Sequence, residues 1–444
     1  MTVFTLFAAQ ALKKGSALGA TAALEIALPF ARMLILSRAL SLSELGFASA
    51  LATAYALYDQ ITDLAIHRYV YAEPRENYAA ALAGAHGLLA LRGLLLAAGA
   101  VVLAPLSSGL FGLASQSGDF ALLAGPLLIR GFEHLEPKIA ERDYRFGPQL
   151  RAALVGAALS LLALAAALGH GRDHGALTAS LYGLALGQTA ASHLVAASPY
   201  RLSLFNPAFV RAGRFGAPLM ANGLGLAVSA QGDRLLVGAL LGVEALGLYA
   251  VVMLAVLVPV SLVQRLMGAL AAAALFNAHD DRPEKIRLIA RLGPAVAAAY
   301  AGATLGLANL LTPAVFGARF VLSSLALALL AVAALLRIAR AEPFTALLLL
   351  DRRTRRVAAG NLAAVAALAF AAALMAARPS IEAALTGRCL GEALALGLTF
   401  QLSRRLLGAA GEDYLWALAF AGAFVLSLLA PWTGLGGAGL SGAP

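Results

Sequence analysis

Runs of apolar residues, each about twenty long, follow one another along nearly the whole chain. A helix of that length crosses the ~30 Å hydrocarbon core of a bilayer, and in lipid a spanning segment must satisfy its own backbone hydrogen bonds. About thirteen such runs fall near residues 15–36, 45–66, 78–104, 115–131, 150–169, 176–198, 214–240, 245–272, 288–311, 320–340, 356–377, 381–403 and 412–431. The composition agrees. Of 444 residues 61% are hydrophobic and 13% charged, whereas soluble domains carry roughly 25% charged residues. The expected fold class is all-α, a polytopic membrane protein with about 12–13 transmembrane helices.

The formal charge of +10 would suggest nucleic acid as a partner for a soluble chain. Here it has another source. With the N-terminus inside, most Lys and Arg residues fall on cytoplasmic connections, and the opposite loops hold only Arg38, Arg172, Arg319 and Arg378. That asymmetry orients the chain N-in, C-out, and no nucleic-acid partner is expected. The single cysteine, Cys389, excludes internal disulfides and multi-cysteine metal clusters. The N-terminus lacks a basic region before its apolar part, so the first span is expected to act as the insertion signal. The connection Arg130 to Arg151 mixes charge with Phe132, Leu135, Ile139, Tyr144 and Phe146. It reads as a short amphipathic surface helix or as a solvated loop.

One stretch, Phe215 to Tyr249, carries Gln231, Asp233 and Arg234 inside an apolar run, then a tight turn and a second apolar run. Charge inside hydrocarbon costs at least ~2.5 kcal/mol per residue and is normally kept for a role in the bundle interior. LILSRALSLSELGF, Leu34 to Phe47, has the same order of elements, with Leu45-Gly46 matching Leu246-Gly247. The repeat is parallel, so it implies a pseudo-twofold axis along the membrane normal. Residues 1–200 form an N-terminal six-helix lobe, 201–404 a C-terminal six-helix lobe, and 405–444 an extra helix and tail.

The pattern RMLILSRALSLSELGFASALATAYALYDQITDLAI, the motif AERDYRF (Ala140 to Phe146) and PLMANGLGLAVSAQGDRLLVGALLGVEALGLY resemble the polysaccharide-biosynthesis flippases. These belong to the multidrug, oligosaccharidyl-lipid and polysaccharide exporter superfamily. The resemblance implies two six-helix lobes working by alternating access in the bacterial inner membrane. It also implies export of undecaprenyl-diphosphate-linked oligosaccharide from the cytoplasmic to the periplasmic leaflet. The partners implied are the lipid-linked oligosaccharide, membrane lipids, and a glycan polymerase and other assembly proteins. No cofactor, metal or catalytic residue is implied, and a thirteenth span departs from the usual twelve or fourteen.

Such cargo needs cations for its phosphates and polar groups for its hydroxyls. Arginine binds oxyanions bidentately and stays charged. Arg265 lies toward the inner leaflet, Arg92 near the middle, and Arg32 and Arg234 toward the outer leaflet. With Gln231 they form the candidate substrate-binding set. Asp59, Asp63, Asp233 and Glu25 are the candidate coupling or gate residues. Each has a purely structural alternative: Arg265 can snorkel, Arg92 can pair with a carboxylate, Arg32 can pair with Glu25 or Asp233, and Asp59 and Asp63 can form a gate or packing salt bridge. Arg388 and Glu392 mark a further polar site in the twelfth span. Tyr55, Tyr58 and Tyr249 read as packing residues, and His170 and His174 as a solvated loop rather than a metal site. No phosphate-binding GxxxxGK[ST] is present. The alternatives left open are a drug/cation antiporter, a peptidoglycan-precursor flippase, a membrane glycan polymerase or ligase, and a non-transporting scaffold.

Overall fold

The computed structural model describes residues 3–61, 64, 66–143, 145–204, 206–276, 281–351 and 354–429. Every regular element among them is helical. The chain divides into two compact units, Met1–Gly247 and Leu248–Pro444.

The first unit contains α1 (Val3–Ala39), α2 (Leu42–Ile61), α3 (Ile66–Ala72), α4 (Tyr78–Leu110), α5 (Ser117–Ala121), α6 (Ala124–Arg130), α7 (Glu136–Ile139), α8 (Gly147–His170), α9 (Gly175–Val195) and α10 (Pro207–Leu241). Helix α11 (Val243–Phe276) runs across the division. The second unit continues with α12 (Arg282–Phe316), α13 (Ser324–Ala339), α14 (Phe344–Leu350), α15 (Thr354–Ala377), α16 (Ile381–Leu407) and α17 (Ala410–Leu429). The helix starts follow local chemistry. Asn206 caps α10, accepting a hydrogen bond from the Phe209 N–H at 2.8 Å, with Pro207 behind it. Ser323 and Ser380 cap α13 and α16 in the same way.

Each expected span meets a helix. Among the described residues seven stretches are long and apolar enough to cross a membrane by themselves: Gly19–Ala39, Tyr78–Leu110, Gly147–His170, Val243–Gly268, Arg282–Phe316, Ser324–Leu348 and Ala410–Leu429. Helices such as α10 and α16 carry charge, including Arg234 and Glu392, that dilutes the apolar signal. Large apolar side chains point outward, with Val102 75% and Phe420 72% exposed. A surface of that kind is suited to acyl chains.

The fourth expected span is not one regular helix. Helices α5 and α6 are joined by a tightened turn at Leu122 and Leu123. Pro126 has no N–H to give the Leu122 carbonyl. That oxygen accepts instead from the Gly125 N–H at 3.3 Å and from the Tyr182 hydroxyl at 3.0 Å. The connection after it is neither one amphipathic surface helix nor a solvated loop. It contains the four-residue α7 and a 3₁₀ turn over Ala140–Asp143. Leu135 and Ile139 are buried in the core with Ile66, Tyr69 and Val70, so their apolar surface is spent on the protein's own interior.

In the first unit α8 packs on α9, and α10 lies against α2 and α4. The Leu-Gly pairs of the repeat meet each other. A Cβ on Gly46 would stand 1.7 Å from the Val243 carbonyl oxygen, and one on Gly247 would stand 2.9 Å from the Gly46 nitrogen. Two main chains touch there, and only glycine fits. In the second unit α15 packs on α16, and α12 on α13 and α17. Its aromatic centre is Phe344, Phe400 and Tyr414, with the Tyr414 hydroxyl donating to the Ala339 carbonyl at 2.9 Å.

Candidate functional site

The charges of the first unit converge on Asp59, in the last turn of α2. Its Oδ1 accepts from Arg92 Nη2 on α4 at 2.9 Å, and its Oδ2 accepts from Arg130 Nη1, at the end of α6, at 2.8 Å. Arg92 Nη2 also donates to the Asp59 carbonyl at 2.6 Å. One carboxylate therefore bridges two guanidinium groups from two helices. None of the three is fully sequestered: the side chains of Arg92, Asp59 and Arg130 are 14, 27 and 31% exposed.

The backbone sets this pairing. Each arginine precedes a glycine, and those glycines touch. A Cβ on Gly93 would lie 2.6 Å from the Gly131 Cα, and one on Gly131 would lie 2.9 Å from the Gly93 Cα. With no side chain between them, α4 and the end of α6 come together and hold Arg92 and Arg130 side by side.

A cavity of about 150 Å³ opens beside the pair, bounded by Asp59, Arg92, Arg130, Lys138, His67 and Glu133. Glu133 is held by Gln188 Nε2 at 3.3 Å. Three permanent cations face two carboxylates. A fourth cation stands close. Tyr55 receives Arg130 Nη1 at 3.5 Å and lies within electrostatic reach of Arg32 on α1. Arg32 Nη1 is inaccessible to water and has no hydrogen-bond partner among the described residues. Burying such a donor unpaired is costly.

The other candidates are distributed differently. Among the described residues Arg32 makes no ion pair with Glu25, which is exposed. Seven residues of helix separate them by ~10.5 Å along the axis. Asp233 is buried and accepts from the Arg234 N–H at 2.9 Å, while the Arg234 guanidinium reaches Gln231 Oε1 at 3.5 Å. Asp63 lies outside the described residues. Arg265, on α11 in the second unit, is exposed. Glu392 is buried and lies 3.4 Å from Arg340 Nε, a charge contact without hydrogen-bond geometry.

A second polar cluster, His86, His134, His193 and Tyr200, sits at the other end of the first turns of α4. His86 Nδ1 donates to the Arg201 carbonyl at 3.0 Å while its Nε2 accepts the Leu135 N–H at 3.1 Å. His134 Nε2 donates to the Ser198 carbonyl at 3.1 Å, and its Nδ1 accepts the Glu136 N–H at 3.2 Å. Both rings are thereby fixed as neutral tautomers. Burial holds His134 below the ordinary imidazole value and pushes the Tyr200 phenol up. Burial alone would raise Glu136, but the hydroxyl and N–H of Ser198 outweigh it and keep this carboxyl below its usual value.

Sequence reasoning passed over Arg130 because a basic residue ending a span is accounted for by membrane orientation. The signal available was a pair of Arg-Gly dipeptides, Arg92-Gly93 and Arg130-Gly131. His174 was expected in a solvated loop. Instead it stacks on Phe47 at 3.7 Å, donates its backbone N–H and its ring Nδ1–H to Glu44 Oε2, each at 2.8 Å, and lies 3.5 Å from Asp119. A short N-terminal turn of α9 places it against α2 and α5, where Glu44 and Asp119 outcompete water. Of the pair His170 and His174, the first is exposed, bonded to its own helix.

Several solved structures share this fold. An inward-closed lipid II flippase MurJ matches with a TM-score of 0.67 at 10% identity, covering 94% of this chain and 92% of its own. An inward-facing multidrug resistance MATE family transporter of the MOP superfamily matches at 0.58 and 13%, covering 88% and 94%. The eukaryotic MATE transporter AtDTX14 matches at 0.56 and 14%, covering 92% and 99%. At such identities the likeness is one of fold, that of polytopic membrane transporters and flippases. No curated protein matches the chain in sequence. The family model described as "Polysaccharide biosynthesis protein" matches residues 35–324, well over half of the chain. The protein is thus a multi-pass membrane member of the polysaccharide biosynthesis protein family.

Proposed function

We propose that this protein flips undecaprenyl-diphosphate-linked oligosaccharide from the cytoplasmic to the periplasmic leaflet of the bacterial inner membrane, by alternating access and without covalent chemistry. The observation that carries this reading is the Arg92–Asp59–Arg130 bridge beside a cavity that Lys138 also lines. A diphosphate offers many oxygens to guanidinium forks that one carboxylate cannot fill. Drug cations would find a surplus of like charge.

In this reading Arg32, Arg92 and Arg130 receive the phosphates, Gln231 and Arg234 offer an amide and a guanidinium to sugar next to phosphate, and Arg265 adds a contact toward the inner leaflet. Asp59, Asp63, Asp233 and Glu25 serve as coupling or gate residues. The two six-helix lobes divide near residue 200, with the N-terminus cytoplasmic. The contact between the repeat's glycines, Gly46 and Gly247, is what like halves about a shared axis would produce. A glycan polymerase and other assembly proteins would take the product.

The test is flipping of a fluorescent undecaprenyl-diphosphate oligosaccharide in proteoliposomes. Wild type is expected to flip it, and the R92Q/R130Q double variant to lose at least about 90% of the rate, since paired oxyanion contacts are worth several tenfold steps. Equal rates in both would end this reading. Lipid II offered in the same assay separates the peptidoglycan-precursor alternative.

A further inference from the structure

The bridge at Asp59 has the geometry of a ligand contact made by the protein on itself. One oxygen of the carboxylate serves Arg92 at 2.9 Å and the other serves Arg130 at 2.8 Å. Two oxygens of one phosphoryl group would meet the same two donors. We propose that the Asp59 carboxylate is an internal occupant of a phosphoryl-binding site, and that an incoming diphosphate must displace it. This rests on the reading above that the arginines receive the lipid's phosphates.

The charge inventory favours exchange over simple addition. Two guanidinium groups and the Lys138 ammonium bound the cavity, against Asp59 and Glu133. Glu133 faces Gln188 at 3.3 Å, which leaves Asp59 as the only anion bonded to both arginines among the described residues. A carboxylate brings one charge. A diphosphate brings two or more, with oxygens left over for the remaining N–H groups of each fork. The exchange is therefore graded by charge. A polyanionic headgroup gains a contact for each one Asp59 surrenders and more besides, whereas a neutral or singly charged headgroup recovers too little to open the bridge.

Structure permits the exchange. All three side chains retain partial exposure toward the cavity, so the carboxylate can be rehydrated as it leaves. The Arg92 contact to the Asp59 carbonyl at 2.6 Å is main-chain and can hold that guanidinium in place while the carboxylate swings away. The glycine contact beneath keeps Arg130 beside it. Asp59 is then a specificity-determining residue. It sets how much negative charge a headgroup must carry before it can enter.

The experiment is equilibrium binding of inorganic pyrophosphate and of farnesyl diphosphate to the full chain in lipid nanodiscs, at one fixed salt concentration. The variants are Asp59→Asn, Asp59→Ser and Asp59→Glu. Removal of the competing carboxylate in Asn or Ser is expected to tighten both ligands by about tenfold, the equivalent of ~1.4 kcal/mol. The Glu variant keeps the charge and is expected to bind as weakly as wild type. Tightening of farnesyl diphosphate alone would place the source of the phosphoryl group in lipid, and tightening of both would make the site one for phosphoryl oxyanions generally; either supports the exchange. Unchanged or weaker binding in both Asn and Ser, with thermal midpoints near wild type, would overturn it and leave Asp59 a scaffold. The R92Q/R130Q variant separates the two levels. If it abolishes binding while Asp59→Asn changes nothing, the exchange fails alone; if it binds as wild type does, the phosphate reading of the arginines fails with it.

Discussion

Helix α4 carries two polar clusters less than two turns apart, and they are built on opposite principles. Around His86 the rings of His134, His193 and Tyr200 pack face and edge at 4.4 to 5.7 Å, and the ring nitrogens of His86 and His134 are all committed to backbone partners. Around Arg92 the cations outnumber the carboxylates, and a cavity adjoins the charges. The first cluster has no cavity beside it and spends the ring nitrogens of His86 and His134 on the backbone, with the Tyr200 hydroxyl left over among the described residues and His193 at its exposed edge. It ties α4 and the segment before α7 to the residues that follow α9. The second is charged and open. The difference teaches that buried polarity alone does not mark a binding site; unspent donor capacity next to a void does.

The largest test of this contrast is charge removal. R130Q alone is expected to cut oligosaccharide flipping by about tenfold or more, because a half-buried bridge loses one arm and leaves Asp59 underpaired. H193Q, in the closed cluster, should leave flipping within about twofold of wild type. Equal losses in the two would erase the distinction.

Next in size is the backbone contact. G93A is expected to force α4 and α6 apart, lowering the thermal midpoint in detergent by several degrees, as a clash worth about 1–3 kcal/mol would. G99A on the same helix meets nothing within 4 Å and should be neutral or slightly stabilising, by up to about 1 kcal/mol. A harmless G93A would show that the arginine spacing is set elsewhere.

Acid gives a smaller effect, confined to the closed cluster. His134 sits below its ordinary value of 6.5 in the folded protein. As the pH falls through 6.5 the unfolded segment takes up a proton before the folded one does, so acidification opposes folding. A protonated His134 Nδ1 would also turn a donor toward the Glu136 N–H. Protection factors for hydrogen exchange across residues 196–204, taken against the unstructured rate at each pH, are expected to fall between pH 7 and 5, and H134Q should flatten that dependence. A flat profile in the wild type would remove His134 from the clasp.

The smallest difference is between two histidines four residues apart. H174Q should cost about 1 kcal/mol through lost contacts to Glu44 and Asp119, and H170Q should stay within about 0.5 kcal/mol. Chemical denaturation in micelles reads both.

The helices were legible because a bilayer leaves so few solutions for long apolar runs; the spans written from hydropathy meet helices throughout. The Pro126 distortion was visible as a proline but not as a rerouted carbonyl, since Tyr182 is 56 residues away in sequence. Half of the site was legible too. Arg92 and Asp59 stood out as charges inside spans, and pairing with a carboxylate was foreseen for Arg92. Arg130 was hidden by its position at a span's end, where positive charge already has an explanation. The histidine cluster draws on positions 86, 134 and 193, and no local spacing links them. Long-range convergence of this kind is decided by packing, which periodicity does not encode.

The touching α-carbons of Gly93 and Gly131 have one more consequence. The separation of the two main chains that carry Arg92 and Arg130 is set by their own contact, with no side chain packed between them. Neighbouring apolar side chains such as Leu89 and Leu127 can therefore be exchanged for others of similar bulk without retuning the jaw that grips the anion. Selectivity can drift through the cavity wall while the two main chains beneath the arginines keep a fixed separation.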